Sequence, residues 1–413
     1  MKRLLSALWN YDFAHTEART LGWLAPTMGL LLLTFGVFDM LVDTGSGLYN
    51  FLSRHLDANT NPLAGIVDQA GFARLSYLLI GGLGLYISLF AVASFVVSLR
   101  KHGREAFVPV FMAHFLSNLV AMAAGFLLFA LFGALAFALG YRYELGADLV
   151  SNGYHLALDF LKAHIPTIAP LPYPLALAAG VLFASLPGFF SHWLAHHSRL
   201  VWYAAHRCHH TAEIMHPVGV GPFMFLPEIF GSLPAIVLTA ACTKLFYHEP
   251  LLVETLVLGS LGIALEKFNH TTAFYDFAYR NRLVRWLSSY FGNGVYHYMH
   301  HTSKEGDEIV NVGGAPFLLW DRLFRTYRAP TAIKPRVGLT NNPHIRLSPF
   351  AIVFSGWQQI AYELKMNRSW RTRFWIVFGT VYWAPPISRD YLILGYPVQA
   401  GQDEQADPIA SAR

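Results

Sequence analysis

Seven histidines lie within the 25 residues from His192 to His216: His192, His196, His197, His206, His209, His210 and His216. A second group, His297, His300 and His301, repeats the spacing of His206, His209 and His210, and His270 stands between the two. A buried imidazole is unfavourable unless it finds a partner, and imidazole is the commonest side-chain ligand for transition metals. One histidine on an apolar face is usually a satisfied core residue. Nine of them in two groups (His192, His196, His206, His209, His210, His270, His297, His300 and His301) point instead to a metal centre. Any fold for this chain has to bring them together.

Where they meet is set by the apolar runs. Hydrophobic residues make up 54% of the 413-residue chain and charged residues 13%, against about 25% charged in an average globular domain. So little charge cannot cover a water-facing surface, and an all-α integral membrane protein is expected. Leu21 to Val42, Leu75 to Leu99, Val108 to Gly140 and Pro174 to Leu194 each approach or exceed the ~20 apolar residues a bilayer requires. The third is long enough to need tilting, breaking or extension past the membrane. Pro222 to Cys242 and Pro250 to Leu265 read as two tilted spans or one re-entrant hairpin. About four to six transmembrane helices are therefore expected, with a cytoplasmic helical cap holding the histidines. Lys2, Arg3, Arg19, Arg100, Lys101 and Arg104 place the N-terminus and the second loop in the cytoplasm. Four spans return the chain to that side, and either reading of 222–265 keeps His270 and the last triplet there too.

The remaining segments are less informative. Residues 1–20 read as interfacial, Tyr141 to Pro174 as extramembrane, and Ala351 to Leu364 as an amphipathic helix on the domain or membrane surface. Phe374 to Pro385 is too short to span, and the tail after Gln399 reads as disordered. Three regions result: 1–173 with the first membrane helices, 174–330 with the histidines, and 331–413 with cytoplasmic or interfacial helices. Two cysteines exclude a disulfide framework and a cysteine-ligated zinc or iron–sulfur site. The net charge of +5 is small and spread, which suits anionic lipid rather than nucleic acid. No cleavable signal peptide is expected, which fits a bacterial inner membrane.

Spacing constrains the centre further. His192 and His196 share one helix face, as do His206, His209 and His210. Fourteen residues separate His192 from His206, which is ~21 Å along a straight helix, whereas nitrogen–metal bonds are ~2 Å long. The helix is expected to break between Ser198 and Tyr203, with Pro217 and Gly219 ending the second one. Nine imidazoles exceed one tetrahedral or octahedral shell, so two ions share the set. Nitrogen donors suit iron, copper, zinc and nickel. A pair at the membrane surface points to iron and oxygen activation, with zinc as a replacement in overexpressed protein. An all-imidazole shell is highly charged, so acids are expected to orient the rings, with Glu213, Glu266 and Asp307 as candidates. Asn311 is expected to hold the loop after the last triplet.

These residues resemble the fatty acid hydroxylase/sterol desaturase superfamily of membrane di-iron enzymes. The family pattern of a spaced pair, a triplet, a middle histidine and a last triplet falls on His192 and His196; His206, His209 and His210; His270; and His297, His300 and His301. Asn311-Val312-Gly313-Gly314 and Trp320-Asp321-Arg322-Leu323-Phe324-Arg325-Thr326 resemble its closing segments. Val201-Trp202 and the spacing before it look nearest to the alkylglycerol-monooxygenase-like and bacterial lipid-hydroxylase branch. His197 stands where that branch often has Glu, leaving an acid missing or an imidazole gained. Arg325 replaces a family Gly. Glu266 stands where some members pair the middle histidine, and a ligand, an orienting acid or neither are all open to it. The resemblance implies O2-dependent attack on a C–H bond of a lipid or other hydrophobic substrate, as hydroxylation, desaturation or ether-lipid cleavage. With no flavin, haem or iron–sulfur motif in the chain, it also implies a separate donor of cytochrome b5, ferredoxin or rubredoxin type. The oligomeric state is open.

Two other classes compete. A haem-binding electron-transfer protein would place isolated histidines near bilayer midplanes rather than triplets beyond span ends. A metal transporter or sensor would carry acids inside several spans, and few are present. His216 precedes Pro217 and reads as a neighbour of the centre, and Cys208 reads as a small packing residue facing away from it.

Overall fold

The computed structural model describes Phe13, Gly82, Tyr86, Leu89, Phe90 and residues 92–138, 147–216, 233–255, 257–258, 269–292, 294–304, 309–313, 317–330, 334–339 and 347–388. Among these residues the architecture is helical, and the extended pairings are isolated bridges, Ser198 with Thr380 and Thr302 with Val337.

Among the described residues, two helices are long and apolar enough to cross a membrane. The first, α1 (Arg104–Ala138), runs unbroken for 35 residues, or ~52 Å, and so extends past a ~30 Å hydrocarbon layer. Its apolar segment is Arg104–Gly125. Next along the chain, α2 (Ala147–His164) packs through Leu161 onto Ala240, Leu252 and Val253. The second long helix, α3 (Tyr173–His197), has 25 residues, or ~37 Å, and Pro174 in its first turn supplies a pre-set φ. Of the other expected spans, Leu21 to Val42 and about half each of Leu75 to Leu99 and Pro250 to Leu265 lie outside the described residues. In the 222–242 region the structure has α4 (Leu233–Phe246), packed along α3. Gly180 makes that approach possible: a Cβ there would lie 2.3 Å from Thr243 Cγ2.

Further along the chain come four shorter helices, the third of which carries His297 and His300. They are α5 (Thr272–Arg280), α6 (Arg282–Phe291), α7 (Val295–His300) and α8 (Leu319–Phe324). Thr271 and Asn281 cap the first two, accepting from the backbone N–H of Phe274 and Val284. Gly292, at φ 73°, ends α6 in the left-handed region. Tyr275, Ala278, Val295, Tyr296, Tyr298 and Leu318 form the core beneath them.

The last helices are α9 (Pro349–Met366) and α10 (Trp370–Phe378). Sequence periodicity puts Ala351 to Leu364 on a surface. In the structure the face carrying Ile352, Gly356, Gln359, Ile360 and Glu363 is buried, and α9 packs on α1 and on the turn at 202–206. The amphipathic pattern is real, but the apolar face meets protein. α10 is a nine-residue helix, short as expected.

Candidate metal centre

The chain leaves α3 abruptly. Ser198 is extended (φ −83°, ψ 125°) and pairs with Thr380 across an isolated bridge. One turn, Arg199–Val201, then leads into a π turn at Trp202–His206 and a 3-10 turn at Arg207–His210. The break lies inside the expected 198–203 interval and folds His206 back beside His192. It is held by Arg199, whose guanidinium donates to the carbonyls of Ile376 and Trp383 and pairs with the buried Glu363 at 2.5 Å. Glu363 also accepts from Gln359 and Ser388.

The change of helical type distributes the triplet differently from one α-helical face. Two groups of four imidazoles form, each with ligand-capable nitrogens within 4.8 Å of one another. The first is His192, His196, His206 and His300; the second is His209, His270, His297 and His301. His206 and His209 therefore serve different groups, and so do His300 and its neighbours His297 and His301. His210 lies between the groups, with Nε2 3.2 Å from His206 Nε2 and its ring stacked 4.2 Å from His301. All nine expected histidines thus converge.

Proton accounting shows why a cation fits. His192 Nδ1 donates to the carbonyl of Val312 at 2.5 Å, and His300 Nδ1 donates to that of Val310 at 3.2 Å. A neutral ring with its proton on Nδ1 presents a bare lone pair at Nε2. Those Nε2 atoms face other imidazoles at 3.2 Å: His192 against His206, and His300 against His196. His206 and His196 approach to 2.9 Å. In the second group His297 lies 2.9 Å from His270 and 3.1 Å from His301. Converging lone pairs repel unless a positive charge sits among them. Four nitrogens on ~2 Å bonds around a tetrahedral ion would stand ~3.3 Å apart, close to these separations. Burial first, and then the neighbouring imidazoles, hold His206, His210, His297, His300 and His301 below the ordinary imidazole range, so they stay neutral and able to ligate at pH 7.

The rings of His192 and His300 are oriented by carbonyls where acids were expected. Val310 and Val312 belong to a loop fixed from α8. Asp321, fully buried, accepts from the backbone N–H of Val312 and Gly313 and from the Thr326 hydroxyl. Asn311, at φ 51°, bonds the backbone of Arg328 through both ends of its amide, and so holds the loop as its position suggested. Asp321 stands in the Trp-Asp-Arg segment, and a lone acid in an apolar turn was the available signal of its role.

The other candidates fall out as follows. His197 bonds the carbonyl of Trp193 at 2.8 Å, stacks on that indole, and is in neither group. Glu213 is exposed, lies against Gly338, and is likewise in neither. Glu266, Asp307, Pro217 and Gly219 lie outside the described residues. His216 is buried against Phe107, Phe111 and His114. Cys208 is packed in a core with Met112 and Ile352, and burial pushes its thiol up to about 12.

No curated protein and no solved structure matches the chain. Residues 177–326, which contain the nine converging histidines and end at Thr326 beside Asp321, match the family described as fatty acid hydroxylase, so over that stretch the chain carries a fatty acid hydroxylase domain, consistent with the fatty acid hydroxylase/sterol desaturase superfamily.

Proposed function

We propose that the chain is a membrane di-iron oxygenase that hydroxylates a C–H bond of a lipid or similarly hydrophobic substrate. The observation that carries this reading is the pair of four-imidazole groups at the end of a membrane-length helix. Each group would hold one iron: His192, His196, His206 and His300 the first, and His209, His270, His297 and His301 the second, with His210 between them. An iron pair supplies activation of O2 for attack on an unactivated C–H bond.

The chain's own residues do the rest. Val310 and Val312 carbonyls keep the His300 and His192 rings in the tautomer that leaves Nε2 free. Burial keeps the rings neutral and limits water at the centre, which disfavours wasteful side reactions. Exposed Phe190 and Leu194 on α3 each stand two residues from His192, on another face of the helix, so the bilayer reaches the level of the centre and a substrate moving in it arrives there without crossing water. The electrons would come from a separate protein of cytochrome b5, ferredoxin or rubredoxin type docking on the cytoplasmic side. Desaturation and ether-lipid cleavage use the same centre and differ in which carbon the pocket presents.

Metal analysis tests the reading. Two irons per chain, with 18O from 18O2 appearing in a lipid product of cells carrying the chain, support it. A Soret band, or full lipid turnover in a metal-free preparation, would sink it.

A further inference from the structure

The surface of α6 and α8 is not that of a water-facing cap. On α6, Leu283 and Trp286 are 63% and 56% exposed, and Leu287, Tyr290 and Phe291 are exposed as well. On α8, Leu319, Leu323 and Phe324 are exposed. The two helices are joined: the N–H of Leu318 donates to the Tyr290 carbonyl, Arg322 donates to the Ser289 carbonyl, and Phe291 lies 5.8 Å from Phe317. The apolar strip then continues onto α3, where Phe324 stacks on Phe189 at 5.2 Å and meets Phe190 at a tilt at 5.1 Å.

Depth decides what covers this strip. Trp320 donates to the Ser185 hydroxyl at 2.7 Å. Ser185 stands twelve residues before the end of α3 at His197, ~18 Å along a helix. An element bonded that far down a membrane-spanning helix lies beside the lipid, not above it. Charge points the same way. Residues Arg282–Phe291 contain no acid, and Arg282, Arg285, Trp286 and Ser289 form one side of a cavity of about 390 Å³ completed by Tyr279, Tyr296, Tyr327 and Pro330. Guanidinium, indole and phenol groups around one hollow match a phosphate at the headgroup level.

We infer that α6 and α8 lie in the cytoplasmic leaflet, with Leu283, Leu287 and Leu323 among the acyl chains and the Arg282/Arg285 cavity holding the phosphate of an anionic phospholipid. Buried Tyr296, which closes one side of that cavity, is next in the chain to His297 of the second imidazole group.

Nitroxides placed by Leu283→Cys and Leu287→Cys, in full-length protein carrying Cys242→Ser and set in phosphatidylcholine/phosphatidylglycerol nanodiscs, test the placement; buried Cys208 does not label. Collision with O2 is expected to exceed collision with a water-soluble nickel chelate at both sites. The reverse order makes this face a docking surface for a soluble protein and overturns the inference. Native mass spectrometry tests the cavity. Arg282→Gln and Arg285→Gln are each expected to weaken phosphatidylglycerol retention about fivefold, leaving phosphatidylcholine retention unchanged. Equal retention by wild type and variants overturns the headgroup site. Neither measurement depends on iron.

Discussion

At the scale of single residues, the centre depends on groups that never touch it. Asp321 reaches His192 only through the Val312 backbone, yet it accepts three hydrogen bonds while fully buried. Asp321→Ala leaves two buried amides without a partner, at about 1–3 kcal/mol each, and frees the carbonyls that orient His192 and His300. Those rings belong to one group of four, and both carbonyl bonds run to it. Asp321→Ala is therefore expected to weaken the first metal ~10–100-fold and leave the second in place, so that iron per chain falls from two towards one under mild chelation. Retention of both at wild-type rates would exclude the role. His206→Ala and His209→Ala should each abolish turnover with insertion intact, and each should deplete a different ion. The histidines that converge were legible in the sequence because spacing alone marks them. The orienting carbonyls were not, because every residue carries one and only the fold selects Val310 and Val312.

At the scale of elements, the break after α3 is the decisive feature, and its position was readable from length: a straight helix holds His192 and His206 too far apart for one centre. The π and 3-10 turns were not readable. They depend on packing from α9, which lies about 150 residues further along the chain. Gly356 shows the dependence, since a Cβ there would fall 1.8 Å from the Tyr203 carbonyl oxygen. Gly356→Ala should push α9 off the turn, lower the melting temperature by the equivalent of about 1–3 kcal/mol, and reduce bound iron along with it. Arg199→Ala should do more. It leaves Glu363, fully buried, without its cation, a loss of about 3–5 kcal/mol, whereas the double change Arg199→Met/Glu363→Leu should recover much of it. Thermal denaturation of the purified variants in one detergent checks the order. The periodicity of Ala351 to Leu364 showed that one face is buried; that it is buried against α1 and the 202–206 turn is known only from the fold.

At the scale of the whole molecule, nine imidazoles drawn into one small volume are expected to make the fold depend on metal and on pH together. Burial and mutual repulsion depress the folded-state affinity of His206, His210, His297, His300 and His301 for protons, while in an unfolded chain each titrates near ~6.5. Below that value the unfolded state binds more protons than the folded one, so the stability these groups contribute is complete above ~6.5 and is lost as the pH falls towards their depressed folded values. Bound metal acts in the same direction, because a ligating ring cannot be protonated and the ion binds only the folded arrangement. The melting temperature of the metal-loaded protein should accordingly be flat from pH 8 to 7 and fall below pH ~6.5, with iron released over the same interval. The chelated protein should melt lower at every pH, because the converging lone pairs lose the cation that offsets their repulsion, and the gap between the two should narrow with acid. Calorimetry of loaded and stripped protein at matched pH, read alongside metal content, checks this. A gap that widens with acid would mean that the histidines do not share their metal with protons, and that the two groups of four are not where the ions bind.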